Sequence, residues 1–262
     1  MNVKEWLTEA KQQIDPVTAE LLLLKYLGLM HEDRSYLVTH EDKEIDPIIV
    51  EMLNLQLSVA KMSDLPRARI LNYQEFYGRK FSLDGNVMVP RYETEEAVDI
   101  ILELKPASVL DVGTGSGCIG ITVKCEMPQT NVTCSDISIG ALAVAEQNAQ
   151  YFEADCKLLL SDLLEDIRRV PELVVANLPY VDPSWSWVDK DALSHDPSSA
   201  LYATEGGLYY IKKLIQQCQR RKVRKLVLEA DPVQHTDIIK YAEQRGFSLG
   251  VAMGFILYFL SE

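Results

Sequence analysis

The sequence predicts an α/β fold: a Rossmann-like, mostly parallel sheet ending in an antiparallel C-terminal hairpin, with a small helical domain in front of it. Three observations carry this. Helical periodicity alone fills the first sixty residues, short apolar runs alternate with helical segments from residue 91 onward, and the last two extended runs are joined by a short glycine-containing turn. The implied organisation is an N-terminal helical domain over 1–63, a β-hairpin linker over 64–90 and an α/β domain over 91–262.

In the first segment, Asp15-Pro16 supplies a capping side chain and a proline at a helix start, and Gly28 is placed to end that helix. The run Leu21 to Leu24 reads as core. Ile48, Met52, Leu55, Val59 and Met62 step by four, three, four and three, which puts them on one face of a further helix. From 64 to 89 the expectation changes to extended stretches: Ile70-Leu71, Phe76-Tyr77 before Gly78, and Val87 to Val89 after Asp84-Gly85. A helix should begin near Glu93 to Glu96. Strands follow near 108–112, 131–135, 157–161, 172–176 and 224–229, and Phe247 to Val251 with Phe255 to Tyr258 form the hairpin.

A length of 262 residues accommodates one α/β core and a smaller domain. The apolar fraction of 47% contains no run approaching the roughly 18 residues of a membrane span. The N-terminus lacks a basic-then-apolar leader, so a cytoplasmic location is expected. A net charge of -13 disfavours a surface that tracks phosphates, pointing to a protein or small-molecule partner and away from direct nucleic-acid binding. The basic cluster Arg220, Arg221, Lys222, Arg224 and Lys225 reads as a solvated helix end. Five cysteines without a Cys-x-x-Cys pair exclude a disulfide framework and a zinc site, and no metal is expected. His31, His40, His195 and His235 are assigned no catalytic role.

Two loops carry the chemistry. Val109 to Gly117, Val-Leu-Asp-Val-Gly-Thr-Gly-Ser-Gly, is a strand running into a glycine loop, which lets backbone approach a ligand at the C-terminal edge of a parallel sheet. Gly115 to Gly120 also fits the dinucleotide pattern Gly-x-Gly-x-x-Gly, so the glycines alone leave the ligand open. Asp111 is the discriminating residue: a carboxylate there opposes a pyrophosphate but suits the sulfonium and ammonium of S-adenosylmethionine. Asp136, beside Ile137, stands one βα unit later, where it can accept from ribose hydroxyls, and Asp162, before Leu163, can accept from an adenine amino group. Each aspartate could instead cap a helix.

The second loop is Asn177-Leu178-Pro179-Tyr180, after the buried run Leu173 to Ala176. A nitrogen conjugated to a carbonyl or a ring is a poor nucleophile. If the Asn177 carbonyl oxygen and a backbone carbonyl accept its hydrogens, its lone pair can be aimed at a methyl donor, with Tyr180 offering a flat face. The loop therefore suits a planar amide or amino nitrogen.

With these residues in view the chain resembles the HemK-type protein-(glutamine-N5) methyltransferases that modify the Gly-Gly-Gln loop of peptide chain release factors. The likeness extends beyond the two loops to Leu65-Pro66 with Glu75 to Gly78, Val89-Pro90-Arg91-Tyr92-Glu93-Thr94-Glu95, Asp136-Ile137-Ser138, Asp196 to Leu201 and Gly206-Gly207-Leu208. It implies a class I methyltransferase sheet and a helical domain that docks the release factor. It further implies a cofactor site of Gly113, Thr114, Gly115, Ser116, Gly117, Asp136, Leu163 and Asn177, with Asn177 to Tyr180 acting on the glutamine amide. A monomer is expected. The sequence departs from the family pattern at Leu178, usually proline, at Tyr92, usually proline, at Asn72 and Asp231, usually glycine, and at Arg69, usually tyrosine. Asn-Leu-Pro-Tyr is also the form of ribosomal-RNA adenine dimethyltransferases, so adenine-N6 methylation of RNA or DNA is the alternative enzyme reading. A non-catalytic adenosylmethionine-binding translation protein is the third, and it would require a broken Asn177 or broken glycines.

Overall fold

The computed structural model describes residues 1–30, 33–63 and 65–261. Chain contacts divide it into two compact units, Met1–Tyr73 and Gln74–Glu262.

The first unit is helical: α1 (Val3–Ala10), α2 (Pro16–Tyr26), α3 (Ser35–Thr39), α4 (Pro47–Ser63) and α5 (Arg67–Leu71). Asp15 caps α2 by accepting from Thr18 N, and Pro16 occupies its first turn, as the dipeptide predicts. Leu22, Leu23 and Leu24 are buried with Trp6 and Leu53 in one core. One expectation is extended and one is corrected. Ile48, Met52, Leu55 and Val59 do share a face of α4, but that face is exposed, and Leu53, Leu57 and Ala60 turn inward. Both sets have helical spacing, so periodicity found the helix but not its buried side. Met62 has no described side chain, and His31 and Asp64 lie outside the described residues. Ile70-Leu71 ends a short helix rather than forming a strand, closed by Asn72 in the left-handed region at φ 52°. Asparagine tolerates that region, which accounts for its standing where the family pattern has glycine.

β1 (Tyr73–Phe76) and β2 (Arg79–Ser82) pair as a two-stranded sheet turning at Tyr77-Gly78. Val87 to Val89 form no strand. The second unit continues with α6 (Glu95–Leu104), β3 (Ser108–Val112), α7 (Cys118–Glu126), β4 (Asn131–Asp136), α8 (Ile139–Tyr151), β5 (Lys157–Leu160) and β6 (Leu173–Ala176). Then come α9 (Lys190–Leu193), α10 (Ser198–Leu201), α11 (Tyr209–Arg221), β7 (Lys225–Glu229), α12 (His235–Glu243), β8 (Phe247–Met253) and β9 (Ile256–Ser261).

Among the described residues the main sheet has seven strands in the order β5-β4-β3-β6-β7-β9-β8. All pairings are parallel up to β7, and β9 is antiparallel to both β7 and β8. Side chains alternate between two cores: Leu110, Val112, Val174, Ala176, Leu226 and Leu228 on one face, Val109, Leu173, Val175 and Val227 on the other. Burial on both faces explains why these strands read as continuous apolar runs.

The chain leaves β3 toward β4 and β5 on one side and returns to β6 and β7 on the other, so β3 and β6 form the switch point. Ligand crevices lie there, beyond the C-terminal ends of the strands. Val112 pairs with Ala176, placing the glycine loop and the Asn177 loop at the same height on neighbouring strands.

Candidate active site

A cavity of about 330 Å³ opens at that switch point, floored by Gly113 to Ser116 and walled by Asp136, Asp162 and Asn177. Gly113, Gly115 and Gly117 all have positive φ, a conformation glycine adopts without strain. A Cβ on Gly115 would meet nothing within 4 Å, so the loop backbone faces open space. At Gly117 it would fall 2.4 Å from Ile121 Cδ1, a close packing that only glycine allows. Asn148 of α8 is 1% exposed and donates to Ser116 O at 2.8 Å and to Ser82 O at 3.1 Å, holding the loop against β2.

Asp111 corrects an expectation. It shares the face of Val109, under α7, and its Oδ2 accepts from Thr114 Oγ1 at 2.6 Å and from Gly120 N at 3.0 Å. Strand alternation sends Val112 toward the cavity and Asp111 into the protein, so Asp111 braces the loop instead of lining the site. Burial pushes its pKa up to about 6. Gly117 likewise does not line the cavity.

The other acidic residues do. Asp136 accepts from Gly115 N at 3.0 Å through one oxygen and from Ser138 N at 2.9 Å through the other. Ser138 in turn caps α8. Asp162 accepts from Lys213 Nζ at 2.6 Å. Ile137 and Leu163 border the same space, Leu163 with its backbone at φ 52°. A carboxylate has about four acceptor positions, so both aspartates keep capacity for ligand donors.

Asn177, Leu178 and Pro179 line the cavity, whereas Tyr180 turns inward. Leu178 is 5% exposed and packs in the sheet core, its Cδ2 only 3.0 Å from where a Gly113 Cβ would be. A leucine thus fills the contact between the two loops at the position where the family pattern has proline. Behind the loop lies a group the sequence reading did not single out: Glu229, the last residue of β7, 3% exposed. Thr94 Oγ1 donates to its Oε2 at 2.6 Å, and Tyr180 OH donates to its Oε1 at 3.2 Å. Asn177 Nδ2 donates to Thr94 Oγ1 at 3.2 Å. Burial raises Glu229 to about 7, against the stabilising hydroxyls of Thr94 and Tyr180. Burial, and then the facing Glu229 charge, raises the Tyr180 phenol.

The motifs outside the two loops have local reasons. Arg91 Nη2 donates to Asp196 Oδ2 at 2.8 Å, and Val89 N donates to Asp196 Oδ1 at 3.2 Å, so the Pro-Arg segment is latched to the loop after β6. Glu95 accepts from Tyr77 N at 2.7 Å. Gly207, at φ 82°, lies where a Cβ would be 1.8 Å from Tyr180 O, and Gln234 Nε2 donates to Tyr180 O at 2.9 Å. Asp231 caps the short 3-10 turn before α12 by accepting from Val233 N. Asn86, Val87, Met88 and Pro90 add a cavity wall that the sequence reading assigned only to the linker. Among the described residues no histidine lines the cavity, no cluster could hold a metal ion, and no helix is long and apolar enough to cross a membrane.

The Methyltransferase small domain family matches residues 96–213. The release factor glutamine methyltransferase of Koribacter versatilis is 38% identical over 209 residues, covering 77% of this chain and 73% of that protein. Its counterpart in Neisseria gonorrhoeae is 32% identical, covering 82% and 79%, and the one in Staphylococcus aureus is 28% identical, covering 92% and 95%. The hMettl16 catalytic domain superposes with a TM-score of 0.53 at 10% identity, covering 87% of this chain and 91% of that one, which is a likeness of fold. The parallel sheet, the glycine loop beside Asn177 and these relatives agree: the chain belongs to the family of release factor glutamine methyltransferases.

Proposed function

We propose that this enzyme transfers a methyl group from S-adenosylmethionine to the side-chain amide nitrogen of a glutamine in the Gly-Gly-Gln loop of a peptide chain release factor. The observation that carries this reading is the register of Val112 with Ala176, which brings a glycine loop suited to the cofactor beside an asparagine suited to a planar nitrogen.

The donor set fits the cofactor. Positive-φ glycines open the loop backbone toward the cavity, and Asp136 and Asp162 offer carboxylates to ribose hydroxyls and an adenine amino group. Gly113 to Ser116, Asp136, Ile137, Asp162, Leu163 and Asn177 would hold it. When bound it supplies a methyl group on a positively charged sulfur. Thr114 and Gly120, by binding Asp111, keep the loop in shape. Asn177 Oδ1 accepts one hydrogen of the glutamine amide and the backbone carbonyl of Leu178 the other, so the nitrogen is held with its lone pair available and little motion remains to be frozen in the transition state. Leu178 contributes through its backbone, which is why leucine can replace proline there. Pro179 shapes the wall against which the amide lies, and Tyr180, turned inward onto Glu229, anchors the loop behind it.

The helical unit over residues 1–73 is assigned the docking of the release factor, a reading supported by the exposed apolar face of α4. The enzyme is expected to act as a monomer in the cytoplasm without contacting nucleic acid, in keeping with a net charge of -13. Transfer of labelled methyl to a purified release factor, beside one whose loop glutamine is replaced, tests the reading. Label on the first and not the second supports it; equal label on both refutes it.

A further inference from the structure

We propose that Glu229 is a positioning residue: acting through the Thr94 hydroxyl, its carboxylate turns the Asn177 side-chain amide so that the oxygen faces the cavity and the nitrogen faces the protein. This rests on the methyl transfer assigned above to the same site.

Hydrogen-bond polarity fixes the orientation of the amide. An ionised carboxylate only accepts, so the single Thr94 proton is committed to Glu229 Oε2 at 2.6 Å. Thr94 Oγ1 can then only accept from Asn177, and the atom 3.2 Å away must be the nitrogen. This constraint leaves Asn177 Oδ1 as the atom offered to the cavity, where an acceptor for an amide hydrogen is needed. Without the carboxylate the relay has no fixed direction: Thr94 could donate to Asn177 Oδ1 and present the NH2 group to the substrate, donor against donor.

Thr94 is 2% exposed and Glu229 3%, so water cannot substitute for either group without rearrangement. The second Glu229 oxygen takes the Tyr180 hydroxyl, so one carboxylate orients both functional side chains of the loop. The titratable groups facing it are Tyr180 from the acceptor loop, Glu93 from the turn before α6 and Cys118 from the first turn of α7.

Glu229→Gln in the full chain is the isosteric test, since glutamine fills the space but can donate to Thr94. The expected result is a fall in kcat of about 100-fold or more, with KM for the release factor and the calorimetric Kd for S-adenosylmethionine changed by less than about threefold. Thr94→Val should give the same loss, and Thr94→Ser, which restores the hydroxyl, should recover most of it. In protein labelled with 15N-asparagine, the Asn177 side-chain amide resonance should titrate near neutral pH without substrate, and this titration should vanish in Glu229→Gln.

Wild-type kcat in Glu229→Gln would overturn the assignment, as would equal turnover of Thr94→Val and Thr94→Ser. Should Glu229→Gln not fold, the Thr94 pair and the wild-type titration decide. If the wild-type protein leaves release factors unmethylated, it is the functional reading that fails, and a resonance insensitive to pH then counts separately against the relay.

Discussion

Arg91 and Asp196 form an ion pair at 2.8 Å in which the aspartate side chain is 2% exposed and the arginine side chain 39%. The pair ties the segment entering α6 to the loop that follows the acceptor motif. Its carboxylate also accepts from Val89 N, so the latch reaches into the cavity wall.

Removing the arginine strands a buried carboxylate with fewer donors. Arg91→Ala is expected to lower stability by about 1.5–3 kcal/mol, the range for a hydrogen bond to a charged group that loses one partner. Urea denaturation of the two proteins measures this. A change below about 0.5 kcal/mol, the size of an ordinary surface substitution, would show that the latch contributes little.

Gly206 and Gly207 offer an internal control for loop strain. Both have positive φ, but a Cβ at Gly206 meets nothing within 4 Å, whereas one at Gly207 meets Tyr180 O at 1.8 Å. Gly206→Ala should cost only the backbone conformational penalty of about 1 kcal/mol. Gly207→Ala should cost more than twice that and also reduce kcat, because the Tyr180 backbone has to move. Equal melting temperatures for the two variants would contradict this account of the glycine pair.

Asn177→Ala removes the acceptor for the substrate amide and leaves the glycine loop intact. Turnover should fall by about 100- to 1,000-fold, the scale for one oriented hydrogen-bonding group at a reacting centre. Cofactor binding, followed by calorimetry, should weaken much less. Retained turnover would refute the amide clamp.

The pH dependence follows from Glu229, raised by burial from its ordinary 4.5 to about 7. A raised acid binds its proton more tightly in the folded state, so its contribution to stability is full below about 4.5 and is lost as pH rises through about 7. Asp111, raised from 3.8 to about 6, acts in the same direction. Glu229→Gln should therefore gain stability relative to wild type across that window. Wild-type kcat should rise over the same window as the carboxylate ionises. Melting temperatures and single-turnover rates against pH check both signs, and a wild-type rate that falls across the window would contradict the account.

Much of the catalytic unit was legible because its signals are local. Continuous apolar runs marked the buried strands, and glycine and proline marked the two loops. Asp111 shares the parity of Val109 and so lies on the face under α7, whereas the composition of a loop does not say which way a carboxylate turns. Glu229 was not legible at all. It meets Thr94 across 135 residues of sequence, and only the pairing of β6 with β7 brings it beneath Asn177. In the helical unit, α4 carries two stripes with helical spacing, and packing against Trp6 and Leu22 decides which is inside.

The most direct test of the central claim is fragment-ion mass spectrometry on a release factor incubated with the wild-type enzyme and S-adenosylmethionine. One added methyl group is expected, on the side-chain nitrogen of the Gly-Gly-Gln glutamine, and it should be missing when Asn177→Ala replaces the wild type. Methylation at another residue, or a methyl group found only in RNA from the same reaction, would contradict it.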